Sequence, residues 1–230
     1  VHEIAKGQGI TCHAWNKDRT KIAFCPLNSK NVEIWKKDGT TFKKEVVLTE
    51  HDHTVTGIDW GHKTNRIVTC SQDRNAHVWK QEGSKWMPTL VILRLDRGCT
   101  QVKWSPDETK FAVGSAAKIV SICYFEEEHD WWVSKHIKKH HSTVLSLSWS
   151  PDSVLLATGS TDYRARIVST FLKNIDQAPQ SSFGEAAKKF GEVLGMYEAH
   201  SWVHDVAFSP SGNRLAFVSH DSSVNFIEVS

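Results

Sequence analysis

The sequence predicts an all-β fold built from a repeated four-stranded sheet, and three observations carry that reading. An aromatic residue closes a short alternating apolar run at Trp15, Trp60, Trp104, Trp149 and Phe208, at intervals of 45, 44, 45 and 59 residues. The wording around these anchors recurs: Val102-Lys-Trp-Ser-Pro-Asp107, Leu147-Ser-Trp-Ser-Pro-Asp152 and Val206-Ala-Phe-Ser-Pro-Ser211 each end a strand in a turn of proline chemistry. A second apolar position repeats at Trp35, Trp79, Cys123, Val168 and Ile227, with intervals of 44, 44, 45 and 59. The segments alternate with period two and are rich in Val, Ile, Thr and aromatics, as strands are. A helical solenoid of similar repeat length needs a 3.6-residue period instead.

Within each unit the anchor strand comes first. A second strand follows, read over residues 66–73, 110–115, 155–162 and 215–221. The third strand carries the second apolar position. A fourth, more polar strand fits residues 41–48, 85–95 and 131–137. A repeat of roughly 40–45 residues with four strands is one blade of a WD-type β-propeller. The expectation is therefore a single WD-repeat β-propeller domain over residues 1–230, with five four-stranded blades.

Blade two carries the fullest signature. His51, Thr69, Asp73 and Trp79 stand where a His–Thr–Asp–Trp set can satisfy its own buried polar groups and tie a loop to the strands. The other blades are degenerate: blade four offers His140 or His141 with Thr158 and Asp162 but Val168 for Trp, blade five has Phe217 and Ile227, and blade three has Ala117 where Asp is expected. The long last interval marks an insertion at residues 173–196. Residues 174–182 read as loop, and residues 185–194 include a stretch that can be helical. Its apolar residues Phe183, Phe190, Val193 and Leu194 are candidate partner contacts.

Composition bounds the function. With 230 residues, 40% hydrophobic and 23% charged, the chain is that of a folded globular domain. No run approaches the apolar length of a spanning helix, and Val1-His-Glu-Ile4 has no signal-peptide character. A net charge of +2 lacks the basic field of a nucleic-acid binder. No membrane or nucleic-acid partner is expected. The five cysteines have no C-x-x-C spacing and read as reduced, buried thiols of a cytosolic protein.

Catalytic and metal patterns are weak. His51-Asp-His53, His140-His141, and His129 with His136 lack ligand spacing, so no metal or cofactor is expected. Ser219-His-Asp221 is merely consecutive in a turn, and adjacent residues on a strand point to opposite faces. Glu126, Glu127 and Glu128 read as a solvated charge run or a partner contact, and residues 135–141 as a basic edge. No enzyme is expected. Trp86, Trp131 and Trp132 are candidate interface anchors, with packing between blades as the other reading.

Several phrases are more specific than any WD consensus: Cys12-His-Ala-Trp-Asn-Lys-Asp-Arg-Thr20, Val55-Thr-Gly-Ile-Asp-Trp60, Pro88-Thr-Leu-Val-Ile-Leu93, Ser121-Ile-Cys-Tyr-Phe-Glu126 and Asp130-Trp-Trp-Val-Ser-Lys-His-Ile-Lys-Lys139. With Trp202-Val-His204 and Val218-Ser-His-Asp-Ser222, the chain resembles the WD-repeat subunits of the actin-related protein 2/3 complex over almost its whole length. That resemblance implies a seven-bladed propeller, of which five blades stand here and two C-terminal ones are expected to be missing. It implies a non-catalytic scaffold, cytoplasmic and on the actin cytoskeleton, supporting nucleation of branched filaments. The implied partners are the other subunits of the complex, actin filaments and nucleation-promoting factors. The alternative is a WD-repeat adaptor of a chromatin, ubiquitin-ligase or coat assembly.

Overall fold

The computed structural model describes Ile4, Gly7, residues 9–177 and residues 183–229. Nineteen strands fill these residues. The first sheet is β1 (Ile10–Trp15), β2 (Lys21–Pro26), β3 (Val32–Asp38) and β4 (Thr41–Leu48). The second is β5 (Val55–Trp60), β6 (Ile67–Ser71), β7 (Asn75–Glu82) and β8 (Lys85–Ile92). The third is β9 (Cys99–Trp104), β10 (Lys110–Ser115), β11 (Val120–Glu126) and β12 (Trp131–Ile137). The fourth is β13 (Val144–Trp149), β14 (Leu155–Ser160), β15 (Arg164–Ser169) and β16 (Val193–Glu198). The fifth is β17 (Val203–Phe208), β18 (Arg214–Ser219) and β19 (Val224–Glu228). Every sheet is an antiparallel meander in sequence order. The predicted anchors Trp15, Trp60, Trp104, Trp149 and Phe208 end β1, β5, β9, β13 and β17.

Two expectations need correction. The fifth blade has three strands among the described residues, not four. The segment assigned to the insertion also includes the start of β16, the fourth strand of blade four, which pairs with β15 from Arg164↔Glu198 to Val168↔Val193. The extra residues therefore lie between β15 and β16, and the repeat period hid them because blade four closes only after the excursion. A short 3-10 turn, Gly184–Lys188, stands in for the expected helical stretch. Residues 178–182 of the predicted loop lie outside the described residues.

Blade packing follows from the strand pattern. Second strands are buried on both faces, as in β10 and β14, so they read as continuous apolar runs rather than alternation. Fourth strands are mostly exposed. Cores form between consecutive blades: Val68, Val78 and Val91 of blade two pack with Val102, Trp104 and Phe111 of blade three. Ala112, Ile122 and Ile137 of blade three pack with Leu147, Trp149 and Leu156 of blade four.

The inner strands are stitched together by a repeated bulge. Pairing skips one residue in β1, β5 and β9, leaving Thr11, Thr56 and Thr100 unpaired on their own sheets. Each freed hydroxyl donates to the next blade: Thr11 to Val55 O at 2.8 Å, Thr56 to Cys99 O at 2.9 Å and Thr100 to Val144 O at 2.5 Å. The strands come so close that a Cβ on Gly57 would meet the Val102 nitrogen at 2.8 Å, so only glycine fits there.

A second clamp joins blades two and three at one rim. Glu108, in the left-handed region at φ 63°, accepts from the backbone N–H groups of Lys63 and Thr64, both at 2.7 Å. Inner strands pack in the series β1, β5, β9, β13, β17, so the blades follow one another around an arc. Among the described residues β17 is not packed on β1 in this way.

Candidate functional site

The four residues of the blade-two signature are joined in one hydrogen-bonded chain. The His51 Nδ1–H donates to Asp73 Oδ2 at 2.7 Å, the Thr69 hydroxyl donates to His51 Nε2 at 2.8 Å, and the Trp79 indole N–H donates to Thr69 Oγ1 at 3.0 Å. Only one histidine tautomer satisfies all three bonds. Asp73 also holds its own turn, accepting from Asn75 N at 2.9 Å with its other oxygen, while Arg74 takes φ 73°. Burial raises the Asp73 pKa, but the hydrogen bonds from His51 and the backbone outweigh it and hold the carboxyl at about 2. The set is closed: it offers no free base or nucleophile, and its work is to fix the loop before β5 to the strands behind it.

Blade four keeps the positions and rewires them. His140, not His141, donates or accepts at Thr158 Oγ1 at 2.8 Å. Its partner carboxylate is taken by Arg166, buried in an ion pair with Asp162 at 2.9 Å. Arg166 stands eight residues after Thr158, where blade two has His77 after Thr69. His140 Nδ1 has no partner among the described residues. The substitution of Val168 for Trp removes the fourth member as well.

These histidines make stability depend on pH. Burial first, then the neighbouring His51 for His77 and Arg166 for His140, lowers both pKa values from 6.5 to about 4. The unfolded chain binds a proton at each near 6.5 while the folded chain does not. Stability is therefore full above that pH and falls as pH drops from 6.5 to about 4, by up to roughly 3 kcal/mol per histidine. Urea unfolding at pH 7, 5.5 and 4.5 should show that decline, and the His140→Gln variant should show less of it. A midpoint that stays flat across this window contradicts the assignment.

The apolar residues expected as candidate partner contacts are partly buried against the cores between blades. Phe183 and Leu194 pack against the core shared by blades four and five, and Phe190 and Val193 against the core shared by blades three and four. They lie along these cores because the chain returns past them to supply β16, and each keeps part of its surface exposed. Of the Trp candidates, Trp86 is buried edge-on to Trp60, and Trp132 packs on Trp104 and Phe111. Trp131 remains exposed, stacked on His129.

Sequence reasoning missed the anchor of the insertion. Beyond β15 the chain runs to Asp176, whose carboxylate meets the Lys110 ammonium of blade three at 2.5 and 2.6 Å. Lys110 also donates to Thr170 O at 3.3 Å and lies over the Trp149 ring. Both side chains are almost fully buried. Burial pulls the Lys110 pKa down and the Asp176 pKa up, and their mutual bonds offset only part of this. The strap of residues 170–176 is thus pinned across a blade boundary by a contact 66 residues long in sequence.

Other reactive patterns dissolve. Ser219 donates to Asp221 while the His220 ring bonds to His204 at 3.0 Å, so no serine–histidine relay forms. Burial pushes the Cys12 thiol up to about 12 and raises Cys25, Cys70 and Cys123 as well, which disfavours their thiolate forms.

The comparison with protein families agrees with the blade geometry. A model described as WD domain, G-beta repeat matches residues 42–80, 132–169 and 191–228, together half of the chain. The chain belongs to the WD-repeat family. Each matched WD repeat starts in or beside the outer strand of one blade and takes the first three strands of the next, so the sequence unit straddles two sheets. Blade three, lacking the turn aspartate, is the one whose first three strands go unmatched in the interior of the chain.

Curated relatives are more specific. The chain is 54% identical over 225 residues to actin-related protein 2/3 complex subunit 1A-A of Xenopus laevis, covering 96% of this chain and 60% of that protein. It is 50% identical over 231 residues to subunit 1A of Arabidopsis thaliana, covering 99% and 60%. It is 49% identical over 214 residues to subunit 1 of Schizosaccharomyces pombe, covering 92% and 56%. The chain spans about 60% of the length of the relatives it matches.

Proposed function

We propose that this chain is part of a non-catalytic scaffold subunit of the actin-related protein 2/3 complex. The observation that carries the reading is identity of 49–58% to proteins named as subunit 1 of that complex, sustained over more than nine-tenths of the chain. The geometry is consistent with scaffolding: the His51–Thr69–Asp73–Trp79 set of blade two and the ion pairs of blades three and four are spent on holding loops and blades. An arc of sheets whose inner strands pack blade on blade is suited to holding neighbouring subunits in register, so that two actin-related proteins can form a filament-like template. In this reading the partners are the other subunits, actin filaments and nucleation-promoting factors, and the place is the cytoplasmic actin cytoskeleton. An adaptor of chromatin, ubiquitin-ligase or coat assemblies would share the blades but not this level of identity. Affinity isolation of the full-length protein decides it: two actin-related proteins are expected in equal amounts with the tagged chain. Recovery of chromatin, ligase or coat components in their place would overturn the reading.

A further inference from the structure

Two exposed histidines meet at one end of blade five. Pairing between β17 and β18 skips one residue between Val203 and Asp205, which frees His204 from its own ladder. His220 follows β18 directly, and its backbone N–H donates to Trp202 O at 2.9 Å. The backbone therefore holds both residues in place while both rings stay open to solvent. His204 stands at the bulge position that Thr11, Thr56 and Thr100 occupy in the first three blades. Those threonines donate to the next blade. The His204 ring turns onto its own blade instead, and its Nε2 lies 3.0 Å from His220 Nδ1. The Trp202 ring flanks His220, with centroids 5.7 Å apart.

A hydrogen bond between two exposed rings adds little to the fold, since water competes for both partners. The same two nitrogens have the spacing of a chelate. At 3.0 Å apart, both can sit about 2.0–2.1 Å from one ion, where they subtend roughly 95°. That is close to the cis angle of the tetragonal shells that Cu(II) and Ni(II) favour, and narrower than the tetrahedral angle of Zn(II). The local charge agrees, because Asp205 and Asp221 each follow one of the two histidines. No third histidine, cysteine or carboxylate completes a group among the described residues, so water fills the other positions of the shell. No ligand spacing in the sequence announces the pair: 16 residues separate its members, and they face each other only once β17 and β18 are paired.

We propose that His204 and His220 form a chelating site for a divalent transition ion of the Cu(II) or Ni(II) class, bound reversibly with water as the remaining ligands. On binding, the ring that donates within the pair carries its proton on its other nitrogen, so that both facing lone pairs reach the ion. No electron is transferred. The ion then bridges the bulge of β17 to the end of β18. The site is independent of the scaffold reading and needs only the folded blade.

Titration of the full-length protein with Cu(II), followed by electron paramagnetic resonance and tryptophan fluorescence, tests it. One equivalent should bind per chain through two histidine nitrogens and quench the emission of the neighbouring Trp202. H204A and H220A should each abolish that equivalent, with the metal-free thermal melt unchanged. Labelling of the wild type with diethyl pyrocarbonate gives a readout that needs no variant. The reagent acylates accessible imidazoles, and Cu(II) or Ni(II) should protect His204 and His220 while leaving the exposed His129 reactive. Binding that survives H204A and H220A, or scatters over the other histidines with no equivalent of its own, overturns the proposal. So does labelling of His204 and His220 that neither ion changes.

Discussion

Replacing Trp79 by alanine should destabilise the protein by about 3–5 kcal/mol. Trp79 is buried in the core shared by blades one and two, beside Ile67 and Trp86. Its loss opens a cavity larger than neighbouring side chains can fill, and the Thr69 hydroxyl loses its indole donor. Trp79→Phe retains most of the volume and forfeits the N–H, so it should cost much less, about 1–2 kcal/mol. Asp73→Ala should fall between, since it frees the buried His51 N–H and one turn. Chemical denaturation of the three variants measures this order. Equal midpoints for wild type and Trp79→Ala would show that the hydrogen-bonded set does not hold blade two.

The second large effect belongs to the strap. Asp176→Leu leaves the Lys110 ammonium buried without its counter-charge and should cost about 3–5 kcal/mol. The pair itself contributes little net stability, because burial opposes the charge on both partners. The double replacement Lys110→Met with Asp176→Leu should therefore recover most of the loss. Denaturation midpoints of the single and double variants give the coupling directly. A double variant as unstable as Asp176→Leu alone would mean that the strap depends on the ion pair for its specific geometry.

Much of the architecture is legible because propeller repeats write themselves twice, once as anchor aromatics and once as turn chemistry. Trp15, Trp60, Trp104, Trp149 and Phe208 end their strands where the periodicity puts them, and the His51–Thr69–Asp73–Trp79 spacing anticipates the bonds between those residues. The bulge threonines Thr11, Thr56 and Thr100 are spaced by 45 and 44 residues and were available to the same reading. They escaped it because a threonine inside a strand is unremarkable until its pairing is known to skip. Lys110 and Asp176 left no signal at all, since contacts between blades follow no local period. The rewiring of blade four has a local cause, visible only when Arg166 is aligned with His77. The insertion was located by its length but misread at its end, because Val193–Glu198 resembles loop-return sequence with Gly195 in it and pairs as a strand only on the finished blade.

The proposed role, a scaffold that holds an assembly together without chemistry of its own, has a direct test. The direct measurement is the number of branched actin filaments nucleated by the purified complex prepared with and without the full-length protein, with subunit stoichiometry determined in both. The account predicts that omission releases neighbouring subunits and abolishes branching, and that adding the protein back restores both together. Full branching from a complex that lacks it would contradict the account.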